Sequence, residues 1–354
     1  MRRVLVTGGA GFIGSALVRH LIADTDHEVL NVDALTYAGS LAALASVAQS
    51  PRYRFVRADI CDGAAVAAAF AGFRPTVVVH LAAETHVDRS IDAPAAFVRS
   101  NVVGTSVLLA AALDYWRGLA DAEQEAFRFH HVSTDEVFGA LGPDGVFTEA
   151  SRYDPRSPYS ASKAGADHLV AAFHHSYGLP TLITNASNNY GPFQFPEKLI
   201  PLAIAKCRSG APVPVYGRGA NVRDWLHVED HARALVAAFE QGMPGETYLV
   251  GARAERSNLA VVELICARLD ALDPRPDGRS HAEGIAFVDD RPGHDFRYAL
   301  DPSRIEQATG WRPRMGFEEG LDATIRWYLD NERWWRPLVD DRDAARRRGL
   351  AAAR

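Results

Sequence analysis

The stretch Val4-Leu5-Val6-Thr7-Gly8-Gly9-Ala10-Gly11-Phe12-Ile13-Gly14 decides how this chain must begin. Its first four residues form a short apolar run of the kind that makes a buried strand, and an amphipathic segment over 11–23 predicts a helix behind it. Between them Gly8, Gly11 and Gly14 make a G-x-x-G-x-x-G loop. Glycines there let the backbone turn tightly and approach a pyrophosphate, whose charge meets the free N–H groups and the positive end of the helix dipole. Such a loop taken alone could equally be a well-packed strand-to-helix turn. Asp33 adds a second signal: it closes the next apolar run, 28–33, 19 residues after Gly14. That is close to the roughly 20-residue offset at which a carboxylate takes the adenosine ribose hydroxyls. The bland alternative is a carboxylate that caps a strand end. No Arg follows, since Ala34-Leu35-Thr36 are neutral, and a carboxylate repels a 2′-phosphate. NAD is therefore expected rather than NADP.

Outward from this start, short apolar runs at 54–58, 77–81, 129–133 and 181–185 alternate with Ala-rich helical segments at 64–71, 95–116 and 158–177. This alternation predicts an α/β fold, a doubly wound parallel sheet of Rossmann type. From about Asn188 the rhythm breaks, with Pro192, Pro196, Pro201, Pro212 and Pro214 crowding one region. A second, smaller substrate-binding lobe is expected there. The expected division is 1–187 for the cofactor domain, with 222–250 returning to it, 188–340 for the nucleotide-sugar lobe, and a frayed tail over 341–354. Further helices are expected at 228–240, 259–272 and 317–328.

At 354 residues, and roughly 150 per domain, two lobes are affordable. The 38 Lys and Arg against 44 Asp and Glu leave a net charge of −6, so no clustered basic field recommends nucleic acid or an anionic membrane as partner. Apolar runs such as 76–83 fall short of the ~18 residues that span a bilayer. Cys61, Cys207 and Cys266 are widely spaced and form no C-x-x-C pair. A reducing, cytoplasmic setting is expected, without a disulfide framework or a thiolate metal site.

Two further clusters carry chemistry. Tyr159 and Lys163 stand at i and i+4 on one helix face. A phenol that acts as a base must fall from about pH 10 toward 7, at a cost of ~4 kcal/mol. One cation about 4 Å away at an effective dielectric near 20 supplies ~4 kcal/mol. Ser133-Thr134-Asp135-Glu136 ends a strand at its carboxyl edge, where open α/β sheets hold ligands. Adjacent carboxylates sharing a site can titrate apart, leaving one as acid and one as base, as an elimination requires. Without a shared site they are only a solvated acidic turn. His130-His131 and His174-His175 do not present two ligands to one ion, so no metal is expected. Trp327, Tyr328, Trp334 and Trp335 read as terminal-helix packing.

Together with His80-Leu81-Ala82-Ala83 and Asn188-Asn189-Tyr190-Gly191-Pro192, these features resemble the extended short-chain dehydrogenase/reductases that act on nucleotide sugars. More narrowly, the chain resembles the dTDP-glucose 4,6-dehydratase family over 33–39, 133–139, 195–201, Arg223-Asp224-Trp225 and 290–295. Departures are Ala34 where Lys is common, Phe138 for Tyr, Thr85 for Ser and Ala186 for Cys; none removes a reacting group.

The resemblance implies a mechanism. Tyr159 would take the C4 hydroxyl proton as C4 gives hydride to NAD, with Lys163 on the cofactor ribose and Thr134 steadying the hydroxyl. Glu136 would then remove the C5 proton while Asp135 protonates the departing C6 hydroxyl. It also implies an NAD site of Gly8, Gly11, Phe12, Ile13, Gly14, Asp33, Ala34, Leu35, Thr36, Asp59, Ile60, Leu81, Ala82, Ala83, Ser100, Tyr159, Lys163 and Asn189. The nucleotide-sugar site would comprise Thr85, Thr134, Asn188, Lys198, Leu199, Pro214, Val215, Tyr216, Arg223, Asn258, Arg291 and His294, with Arg223 and Arg291 gripping the diphosphate. A homodimer through the helices near 95–116 and 158–177 is expected. A UDP-sugar dehydratase, or a 4-epimerase or decarboxylase of the same fold, is the alternative, and the latter two need no Asp135/Glu136 pair.

Overall fold

Val4, Val6, Val77 and Val79 pack to one side of their strands, and Leu5, Val78 and Phe129 to the other. A sheet built this way is apolar on both faces, and both must be covered. The computed structural model describes residues 1–340; the expected tail over 341–354 lies outside the described residues. Seven parallel strands form the main sheet in the order β10-β6-β5-β4-β1-β2-β3. They are β1 (Arg3–Thr7), β2 (Glu28–Asp33), β3 (Tyr53–Arg57), β4 (Val77–His80), β5 (Arg128–Thr134), β6 (Thr181–Ala186) and β10 (Thr247–Val250).

Helices α1 (Phe12–Asp24) and α6 (Val228–Gln241) cover one face through Leu17, Leu21, Leu235 and Phe239. Helices α2 (Gly63–Phe73), α3 (Thr105–Arg117) and α4 (Pro158–Tyr177) cover the other through Phe70, Leu109, Leu113 and Val170. Each such fully buried side chain contributes roughly 1.5–3 kcal/mol. Helix α4 starts where Pro158 occupies the first turn and the Ser157 hydroxyl accepts the Ser160 N–H at 3.0 Å. It ends at Gly178, whose φ of +75° suits the left-handed cap. The chain order reverses at β1, which lies between β4 and β2, so the carboxyl ends of β1 and β4 open the crevice where such sheets bind ligands.

The expected single helix over 95–116 is interrupted. Val98–Gly104 is a π-helical stretch between Pro94–Phe97 and α3. Its wider turn sets the buried Asn101 beside the crevice, where its amide hydrogen-bonds the Glu84 backbone and donates to the Ser162 hydroxyl. The whole run Pro94–Arg117 is long and apolar enough, by length and composition, to cross a membrane. Polar residues such as Arg99 and Asn101 break it into shorter apolar pieces in the sequence, and its Leu108, Leu109 and Ala112 are buried in the core.

After residue 188 the Pro-rich region contains more regular structure than its sequence announces. Strands β7 (Asn188–Tyr190), β9 (Val222–His227) and β11 (Glu255–Ser257) form a small sheet, and β8 (Val213–Tyr216) pairs with β12 (Ile285–Val288). Each is three to six residues long and finds its hydrogen-bonding partner far away in the chain, so local periodicity carries no signal. Helices α5 (Leu199–Arg208), α7 (Asn258–Leu272), α8 (Phe317–Asp330) and α9 (Glu332–Asp340) pack a separate core from Ile204, Ile265, Leu321, Ile325 and Tyr328. Trp327 and Trp334 stack around Phe193, with centroids 4.5 and 5.4 Å from its ring, and Trp335 is buried beneath. The aromatic cluster is packing. All three cysteines are free, Cys207 and Cys266 facing each other at 3.8 Å between α5 and α7.

Candidate active site

The glycine loop is a cradle that side chains would fill. Gly8 has φ +73°, and a Cβ there would come within 2.6 Å of the Ala82 nitrogen; one on Gly14 would overlap the Gly8 carbonyl. Asp33 Oδ2 accepts the Ala10 N–H at 2.9 Å and Oδ1 the Leu35 N–H at 2.7 Å. A cavity of about 350 Å³ runs from this loop to the carboxyl end of β5. Every expected cofactor residue lines it except Leu35, which turns with φ +54° behind Asp33. A glycine turn packed tightly against backbone at a helix start, backed by a fixed carboxylate and flanked by Leu81, Ala82 and Ala83, fits a dinucleotide.

The reacting groups meet at the far end. The Thr134 hydroxyl, at the end of β5, accepts the Glu136 N–H and donates to Asp135 Oδ1, both at 3.3 Å. Asp135 is buried, and its Oδ2 has no hydrogen-bond partner. Burial first, and the Glu136 charge second, push its carboxyl well above the usual range. Burial also raises Glu136, but Arg291, Lys198 and Arg223 pull it back. Both acids are raised, and three cations oppose the shift at Glu136.

Tyr159 departs from expectation. Burial and the Glu136 charge push its phenol well up, opposed only by the Thr134 hydroxyl. The Lys163 ammonium turns under β5, where Nζ donates to the Val132 carbonyl at 2.8 Å. Burial brings Lys163 down to about 8, with the Asp167 carboxylate opposing.

Of the expected substrate residues, Thr85, Thr134, Asn188 and Lys198 line the cavity, the Lys198 ammonium donating to the Thr85 carbonyl at 3.1 Å. Tyr216, Arg291 and His294 gather outside it around the short helix Val87–Asp92 that bears Asp88: the Tyr216 hydroxyl donates to Asp88 at 3.1 Å, and Arg291 lies 3.6 Å from the same carboxylate. His294 packs against Tyr216, ring centroids 6.2 Å apart, and bonds Asp290. Pro214 is on β8, and Leu199 and Asn258 open α5 and α7, away from the cavity lining.

Two assignments need correction. Val215 is buried in the second core, because β8 alternates and its inward positions are 213 and 215. Arg223 is not free to fork onto a diphosphate. Its guanidinium donates to the carbonyls of Val222, Asp295 and Phe296 and lies 4.3 Å over the Tyr298 ring. It acts on Asp135 and Glu136 through its charge.

The sequence reading missed a clasp across the cavity mouth. The Tyr37 hydroxyl donates to buried Glu197 at 2.9 Å, Arg89 stacks 3.7 Å over the Tyr37 ring, and His86 approaches Glu197 at 3.8 Å. Tyr37 and Glu197 lie in two of the family-like segments, 33–39 and 195–201, which was the available signal. No group of three or more His, Cys, Asp or Glu residues suited to a metal occurs among the described residues.

The fold and this site define a nicotinamide-dependent short-chain dehydrogenase/reductase built for nucleotide sugars. The family described as GDP-mannose 4,6 dehydratase matches residues 5–324. The chain is 56% identical to the dTDP-glucose 4,6-dehydratase of Neisseria meningitidis serogroup B, covering 96% of this chain and 97% of that protein. It is 54% identical to the dTDP-glucose 4,6-dehydratase of Escherichia coli, covering 98% and 99%. It superposes with a TM-score of 0.86 on the crystal structure of DesIV, the dTDP-glucose 4,6-dehydratase of Streptomyces venezuelae, with NAD and TYD bound, at 44% identity over 95% of this chain and 99% of that one. The chain belongs to this 4,6-dehydratase family, alongside its dTDP-glucose 4,6-dehydratases.

Proposed function

We propose that this protein dehydrates dTDP-glucose to dTDP-4-keto-6-deoxyglucose, one water lost for each sugar. The observation that carries this is the adjacent pair Asp135 and Glu136, both raised by burial but only Glu136 countered by three cations, beside Tyr159 on the cavity wall. The glycine loop and Asp33 would hold NAD, which would accept the C4 hydride and supply it back at C6, C5 regaining a proton as that hydride arrives. Tyr159 takes the proton of the C4 hydroxyl, with Thr134 orienting that hydroxyl. The resulting 4-ketone acidifies C5–H, which Glu136 removes, while protonated Asp135 hands its proton to the C6 hydroxyl as it leaves. Thr85, Asn188 and Lys198 face the sugar, and Tyr216, Arg291 and His294 receive the nucleotide, where Arg291 can fork onto a diphosphate.

Residues 1–187 with 222–250 act as the cofactor lobe, and the rest of 188–340 as the substrate lobe. Exposed Ile91, Val98 and Val103, at 41%, 49% and 47%, form an apolar face along the run before α3 that suits a homodimer contact. A cytoplasmic location agrees with three free cysteines.

Incubation of the purified protein with dTDP-glucose and, separately, UDP-glucose tests the reading. Formation of the 4-keto product from dTDP-glucose is expected without added nucleotide. Faster turnover of UDP-glucose would make it a UDP-sugar enzyme, and 4-epimerised sugar without water loss would make it an epimerase.

A second expectation concerns retention of the cofactor. Asp33→Ala removes a charged acceptor that backbone N–H groups hold in place on the cavity wall. Hydrogen bonds to charged groups contribute about 1.5–3 kcal/mol, so NAD affinity should fall ~10–100-fold. NAD content after gel filtration, with a binding titration, measures it; tighter NADP than NAD binding in the parent protein would overturn the role of Asp33.

A further inference from the structure

Tyr159, Lys163 and Asp167 stand at intervals of four along α4, on successive turns of one face. The last has no part in the chemistry above, yet it is buried and among the most heavily partnered carboxylates near the site. Its Oδ2 accepts the Ser133 hydroxyl at 2.8 Å, the Tyr153 hydroxyl at 3.0 Å and the Asn185 amide at 3.2 Å. Its Oδ1 lies 3.2 Å from His131 Nε2, and the same nitrogen lies 3.4 Å from Lys163 Nζ. One imidazole nitrogen thus sits between a buried carboxylate and a buried ammonium.

We propose that Asp167 is a positioning residue for the oxidation at C4: across the His131 ring it supplies the buried counter-charge of Lys163, and through Ser133 and Asn185 it fixes the end of β5 on which Thr134, Asp135 and Glu136 stand. This rests on the reading of Tyr159 and Lys163 given above. A charged ammonium in an apolar interior needs a counter-charge. The groups that face this cluster are His131 and Ser133 from β5, His80 from β4 with its ring 5.1 Å from that of His131, Asn185 from β6, Tyr153 from the preceding loop, and Tyr159 and Lys163 from α4 itself. Asp167 is the only carboxylate among them. Against burial, His131 by hydrogen bond and charge, then the Lys163 charge and the Ser133 hydroxyl, hold Asp167 low, while burial with the Lys163 charge pushes His131 down to about 4. The cluster therefore carries one negative and one positive charge.

The sign of the pH effect follows. Lys163 serves the site as a cation, and the Asp167 carboxylate raises the pH at which it loses its proton. Asp167→Asn keeps shape and most hydrogen-bonding capacity but removes the charge, so Lys163 should deprotonate at lower pH. The alkaline limb of kcat should move down by about one pH unit, which is a tenfold loss of rate at pH values above the limb. KM for dTDP-glucose should change less than twofold, and C4 oxidation followed as bound NADH in a single turnover should show the same shift.

His131→Asn removes the ring between the carboxylate and the ammonium and should also move the limb, because that ring sets their separation. The double variant should be no slower than Asp167→Asn, because both act along one path. An unmoved alkaline limb in Asp167→Asn overturns the proposal; if that variant does not fold, an unmoved limb in His131→Asn overturns it. Tyr159→Phe, measured beside them, distinguishes the two levels of inference: a dead Tyr159→Phe with an unshifted Asp167→Asn rejects the counter-charge alone, whereas an active Tyr159→Phe rejects the base on which it rests.

Discussion

Tyr159→Phe is expected to bind dTDP-glucose and NAD as the parent protein does and to form no detectable NADH on mixing. Tyr159 is buried, its ring edge-on to Phe97 at 6.3 Å, and phenylalanine preserves that packing while deleting the one group placed to take the C4 hydroxyl proton. General base catalysis is usually worth ~10²–10⁴ in rate, and here every later step waits for the C4 ketone, so turnover should fall by at least that factor. Stopped-flow absorbance of bound NADH, with a titration of substrate binding, separates loss of chemistry from loss of affinity. Near-native turnover would place the base elsewhere.

The two carboxylates should fail in different ways. Asp135→Asn removes the proton donor to the C6 hydroxyl but leaves Tyr159 to oxidise C4 and Glu136 to work at C5. It should form bound NADH and exchange the C5 proton with deuterated water, yet lose the C6 oxygen slower by ~10²–10⁴. Glu136→Gln should permit C4 oxidation while stopping both exchange and elimination. Because each acid affects the other's titration, both variants need measurement across pH. Exchange that survives in Glu136→Gln and vanishes in Asp135→Asn would reverse the roles, and an unimpaired pair would end the dehydratase reading.

Much of the site was visible beforehand because it is carried by short motifs at strand ends. The glycine loop, Asp33, Tyr159 with Lys163, and Thr134 to Glu136 each owe their place to a local rule: a turn needing no Cβ, a strand end, or a helical spacing of four. What resisted reading came from the second lobe and from charge. Arg223 looks free to grip a phosphate, yet three carbonyls and an aromatic ring occupy it. Val215 sits between two expected binding residues, yet strand alternation turns it into the core.

The sequence alone determined the parallel α/β fold and the cofactor class, because apolar periodicity and glycine geometry are properties of neighbouring residues. Only the tertiary structure decided the proton affinities and the partners. Lys163 turns to the Val132 carbonyl and His131, with the Asp167 carboxylate on the far side of that imidazole nitrogen. The clasp between Tyr37 and Glu197 joins positions 160 residues apart. Desolvation and Coulomb interaction depend on distance through space and on what excludes water, and those are settled when the lobes close around the cavity, not by spacing along the chain.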